Sequence, residues 1–143
     1  SVLDFSQVRV LDYSCADEAV AKLILRYQRA DRPADAYFLA RGVGESHRPT
    51  LEAVLERHGL ALVVENDEGG AELMGPVDEI EHDAWRALEE LVVADADEIA
   101  ARIEADAASV TTALDTLAKR RVVIRSPITA RCYALRYLVT SEV

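Results

Sequence analysis

The pattern of this chain changes at Gly69-Gly70 through Gly75-Pro76. Before it, short runs that are apolar at almost every position alternate with stretches whose apolar residues recur every three or four positions. After it, three helical stretches follow one another and the β-rich runs come only at the end. Clustered turn formers at such a change mark a boundary. A chain of 143 residues is long enough for one domain or for two small ones that pack together. The change of pattern divides it into residues 1–76 and 77–143.

In the first part, Val2-Leu3-Asp4-Phe5 reads as a buried strand and Val8-Arg9-Val10-Leu11 as a β-rich run leading into a loop. Ala16, Val20, Leu23, Ile24 and Tyr27 recur at helical spacing as far as Arg29. Asp31 to Asp35, with Pro33, makes a turn, and Ala36-Tyr37-Phe38-Leu39-Ala40 is a second buried strand. A second helix runs from Pro49 to His58 and stops at Gly59. Leu60 to Val64 is a third strand. Strands apolar on both faces that alternate with helices predict a parallel sheet built through right-handed crossovers.

Val2-Leu3-Asp4-Phe5-Ser6 is similar to the strand, Asp, Leu, Ser opening of the STAS domain. Val10-Leu11-Asp12-Tyr13-Ser14 is similar to its Asp-Ser-Ser-Gly loop ahead of the first helix. STAS domains are the small α/β fold of bacterial anti-sigma factor antagonists and of sulfate-transporter tails. In that family the second serine of the loop sits at the helix N-terminus and is phosphorylated by a partner kinase. The resemblance implies an α/β STAS-like unit over residues 1–76, with Ser14 as phosphoacceptor and Asp12, Cys15 and Asp17 as a surface for a protein partner or kinase. Tyr13 replaces the first serine, and Cys15 replaces the glycine that gives the kinase access to the backbone. Family members open with one or two further strands, so the resemblance also implies a shortened domain.

The residues themselves give Ser14 a second role. A serine just before a helix is an N-cap worth about 1 kcal/mol. The same helix end favours an anion, whereas a phosphate beside Asp12, Asp17 and Glu18 would repel an acidic partner. Cys15 reads as a small buried apolar residue rather than a nucleophile.

In the second part, Ile80, Ala84, Leu88 and Leu91 with Trp85 form one helical stripe. Ile99, Ala100 and Ile103 form a second, and Val110, Ala113, Leu114 and Leu117 a third. Asp95 with Glu98 reads as a capping box, and Asp106 with Ser109 starts the third helix. A short helix, a tight turn and a longer helix make helix-turn-helix grammar. Val122-Val123-Ile124 and Tyr133 to Leu138 then form a hairpin around Arg125 to Cys132.

Asp97-Glu98-Ile99-Ala100-Ala101-Arg102-Ile103, followed by Asp106 to Val123, resembles the helix-turn-helix of bacterial winged-helix DNA-binding domains. The resemblance implies a C-terminal winged-helix (α+β) domain over residues 77–143. Glu104 stands at the family's turn glycine and Arg121 at the glycine after the third helix. Ala107, Ala108 and Thr112 occupy positions that are commonly polar or basic where that helix faces DNA.

The charge is unevenly spread. The whole chain is −10, yet residues 77–115 hold twelve acids against Arg86 and Arg102, and residues 116–141 hold six cations and no acid. An acidic protein can bind DNA when its cations are concentrated where phosphates approach. The expected DNA-binding residues are Ser109, Thr111, Thr112, Lys119, Arg120, Arg121, Arg125 and Arg131. Equally, these cations can complement a helix C-terminus or solvate an edge hairpin.

The sequence reads as a non-enzymatic regulator that couples a STAS-like module to a winged helix that binds DNA as a homodimer. The alternative keeps the architecture and uses the winged helix for protein interaction or dimerisation. There is no P-loop, GxGxxG or GxSxG motif. Cys15, Cys132 and the scattered His47, His58 and His82 show no metal spacing, so no catalytic residue, metal or cofactor is expected. No apolar run approaches the roughly 18 residues of a membrane span; no membrane association is expected, and a cytoplasmic location is.

Overall fold

Leu62, Val63 and Val64 are all buried, so this apolar run covers both faces of its strand instead of alternating between core and solvent. It forms β3 (Leu62–Glu65) of a four-stranded sheet in the order β1-β2-β3-β4, with β1 at Val2–Asp4, β2 at Leu39–Arg41 and β4 at Ala71–Met74. β1, β2 and β3 run parallel, with Leu3 opposite Ala40 and Leu39 opposite Val63. β4 runs antiparallel to β3, with Val63 opposite Leu73. The sheet is therefore mixed, which corrects the expected parallel sheet. β4 hid among the turn formers because only Leu73 and Met74 are buried in it.

The computed structural model describes residues 2–5, 12–28, 37–66, 70–126, 129 and 131–135. The expected run Val8 to Leu11 and the turn at Asp31 to Asp35 lie outside the described residues. The chain is a mixed α/β protein whose contacts divide it into two compact units, Ser1–Pro76 and Val77–Val143.

In the first unit, residues 13–28 are helical throughout: α1 (Tyr13–Ala16), a π-helical turn (Asp17–Ala21) and α2 (Lys22–Gln28). α3 (Arg48–His58) has Pro49 in its first turn and ends at Gly59, whose backbone is left-handed at φ 64°. Ala16, Val20 and Ile24 share a core with Leu51, Val54 and Leu55 of α3 and with the sheet.

The second unit holds α4 (Glu79–Leu91), α5 (Ala96–Ile103) and α6 (Ala107–Lys119). Its antiparallel sheet has the order β5-β7-β6, formed by Val93–Ala94, Cys132–Ala134 and Val123–Arg125. Asp95 accepts from the Glu98 N–H at 2.9 Å and Glu98 reaches back to the Asp95 N–H, completing the expected capping box. Asp78 and Glu81 form a second box at α4 that the sequence reading missed. β5 was also missed, because its two residues follow directly on the apolar end of α4. Trp85, Leu88, Ile99, Val110 and Leu117 are buried.

Three non-glycine residues of this unit have positive φ: Val92 (69°), Glu104 (55°) and Arg121 (63°). Glu104 and Arg121 each turn the chain at a helix end. The next N–H then returns to a carbonyl five residues back, Ala105 to Ala100 at 3.0 Å and Val122 to Leu117 at 3.1 Å. A side chain in this conformation costs roughly 1–2 kcal/mol, while glycine loses roughly 0.5–1 kcal/mol more backbone entropy on folding. Glu104→Gly should therefore stabilise the protein by about 0.5 kcal/mol, read as a higher urea midpoint at unchanged slope; a lower midpoint would mean that the Glu104 side chain stabilises the turn by more than its backbone costs.

Candidate functional site

Each unit carries one of the surfaces predicted from sequence. In the first, the cap of α1 is Asp12, whose Oδ1 accepts from the Cys15 N–H at 2.8 Å. This corrects the capping role expected for Ser14, which is the second residue of the helix. Asp12, Ser14 and Cys15 are exposed, as is Tyr13. Exposure also corrects the reading of Cys15 as a buried apolar residue.

Asp17 opens the π-helical turn and is half-buried against α3, where its Oδ1 lies 2.6 Å from His58 Nε2. The neighbouring Arg57 donates to the Tyr13 hydroxyl at 3.3 Å and lies 5.9 Å from its ring centre. Arg57 and His58 are site residues that the sequence reading missed. The only signal was two basic residues in the last turn of α3.

The hydrogen bond from His58 holds the Asp17 carboxyl below its ordinary 3.8, with the charges of His58, Lys22 and Arg57 helping and partial burial opposing. A carboxyl depressed in the folded state adds stability above its unfolded pKa and loses it as pH falls through the lower folded value. Acidification through and below 3.8 should thus cost the native protein more stability than a His58→Ala variant, measured as the difference in urea midpoint between neutral and acid pH. Equal losses would show that the contact is not linked to folding.

In the second unit, Ser109, Thr111 and Thr112 are exposed along α6. Their hydroxyl protons are directed into the helix: Ser109 to Asp106 Oδ2 at 3.3 Å, Thr111 to the Ala107 carbonyl at 2.9 Å and Thr112 to the Ala108 carbonyl at 3.1 Å. With its proton committed, each hydroxyl presents lone pairs outward and acts as an acceptor.

Lys119 ends α6, and Arg120 and Arg121 form the turn after it, half-buried. Arg125 closes β6 and Arg131 precedes β7; both are exposed. The Ser126 N–H donates to the Arg131 carbonyl at 3.1 Å and extends the hairpin pairing. Thr112 and Lys119 are about 10 Å apart along α6 at 1.5 Å per residue, so the hydroxyls and most of the cations occupy different ends of the helix.

Arg125 bridges that gap by forming an ion pair with Asp115 of α6. Beside the pair lies a cavity of about 250 Å3 lined by Asp95, Asp97, Thr111, Leu114, Arg125 and Cys132. Burial pushes the Cys132 thiol up and keeps it protonated. A larger cavity of about 410 Å3 in the first unit lies among Arg48, Glu52, Glu56 and Glu72, where Arg48 and Glu72 form an ion pair. Among the described residues, no three His, Cys, Asp or Glu side chains come together as metal ligands, and no helix is long and apolar enough to cross a membrane.

Comparison of the chain with protein-family models, with curated proteins and with solved structures finds no match.

Proposed function

We propose that the protein is a non-enzymatic transcriptional regulator in which a STAS-like partner-binding unit is joined to a winged helix-turn-helix that binds DNA. The observation that carries this reading is backbone geometry. The two positions where winged-helix domains place glycine, 104 and 121, both adopt left-handed backbone here although they are Glu and Arg. A conformation unfavourable to both residues is kept at the turn between α5 and α6 and at the exit of α6. Capping of α5 by Asp95 and of α6 by Asp106, with a hairpin after α6, supports the same reading.

In this proposal α6 enters the major groove. Ser109, Thr111 and Thr112 accept hydrogen bonds from base amino groups, and Lys119, Arg120, Arg121 and Arg131 contact phosphates. So few cations favour a homodimer. Ser14, exposed at the start of α1, is the phosphoacceptor through which a kinase would regulate partner binding by Asp12, Cys15 and Asp17. The test is to titrate a mixed-sequence duplex into 15N-labelled protein. Shifts concentrated at residues 109–115 and around Arg131 are expected, and shifts confined to α4 would overturn the reading. One observation favours a protein partner instead: Arg125 already holds a carboxylate, as it would on an acidic partner surface.

A further inference from the structure

We infer that Asp115 is an intramolecular competitor for phosphate that holds Arg125 away from DNA of arbitrary sequence. This rests on the DNA-binding reading above and narrows it to one exchange of ion-pair partners.

Asp115 is one helical turn beyond Thr111, on the face of α6 proposed to enter the groove. Its Oδ1 pairs with Arg125 Nη1, which reaches across from β6. The two side chains are 44% and 45% exposed. At such exposure an ion pair is weak, because water screens it and two side chains must be ordered to form it. It is therefore exchangeable. A duplex phosphate can bind the guanidinium through two parallel hydrogen bonds and releases condensed counterions as it does so. Helix formation does not explain the carboxylate, since Asp in a helix interior is among the weaker helix formers. Asp95 and Asp97 line the same cavity as Arg125, so this cation faces acids from α5 as well as α6. Arg125 contributes little to phosphate contact until Asp115 lets go, which holds down affinity for DNA of arbitrary sequence.

The test compares the native chain, Asp115→Asn, Arg125→Ala and the double variant on one mixed-sequence duplex over a range of salt. Each neutralised phosphate adds about 0.9 to the salt slope and about tenfold in affinity near 0.1 M salt. Asp115→Asn should bind about tenfold more tightly than the native chain, with a slope steeper by about 0.9. Arg125→Ala should leave the slope of the native chain unchanged and remove the added 0.9 in the Asp115→Asn background. Native-strength binding by Asp115→Asn would overturn the competitor role and leave DNA binding standing. So would a tighter Asp115→Asn whose slope stays native, because loss of simple repulsion would then explain the gain. Failure of the native chain and Asp115→Asn alike to bind at low salt would overturn both readings. Far-UV circular dichroism on each variant confirms that the helices are retained.

Discussion

Gly75→Ala should destabilise the protein by about 3 kcal/mol or more. Gly75 has φ 122°, a backbone conformation that side chains rarely adopt, and a Cβ placed there would lie 2.3 Å from the Leu60 carbonyl oxygen and 3.0 Å from the Ala61 Cα. Both obstacles are backbone, so no side chain can rotate away. The segment must shift, and with it the end of β4, where Met74 lies opposite Leu62. Strained backbone costs roughly 1–3 kcal/mol and overpacking a further 1–3 kcal/mol. Urea unfolding measures the sum. A midpoint close to that of the native chain would mean that the approach of Gly75 to Leu60 does not constrain the fold. Gly59→Ala is the matched control, because its φ is also positive, at 64°, but nothing lies within 4 Å of the added carbon.

Leu117→Ala should cost about 3 kcal/mol. Leu117 is 0% exposed, and α6 packs against α4 and α5. Truncating the side chain loses its transfer free energy and leaves a cavity among neighbours that relax only in part. The carbonyl of Leu117 also receives the Val122 N–H across the left-handed turn at Arg121, so loosening this point loosens the start of the hairpin. An exposed neighbour gives the contrast. Lys119→Ala should change the unfolding midpoint little, and equal losses from the two substitutions would contradict the assignment of α6's inner face.

What the sequence made legible was what neighbouring residues decide. The bounds of α3 follow from Pro49 and Gly59, and the starts of α5 and α6 from Asp95 with Glu98 and from Asp106. The inward faces of the helices follow from stripes such as Val110, Ala113, Leu114 and Leu117, all of which are buried. Asp12 and Ser14 are both good caps two residues apart, and only the backbone at Asp12, extended at φ −85° and ψ 168°, decides between them. β4 and β5 were lost because strands with only one or two buried residues cannot show a period. The site residues that escaped were paired across sequence. Asp17 meets His58 41 residues away, and Asp115 meets Arg125 through the return of the hairpin. A local charge count shows six cations after residue 115, but not that Arg125 is held by Asp115.

The second unit is proposed to bind duplex DNA through α6 and the cations that follow it. The affinity of the native protein for a mixed-sequence duplex, measured between about 50 and 200 mM salt, decides this. With about four phosphates neutralised by Lys119, Arg120, Arg121 and Arg131 of each protomer, log affinity should fall against log salt with a slope of roughly −3.6 per bound protomer. Absence of binding even at the lowest salt, or a slope near zero, would rule out DNA binding by this surface.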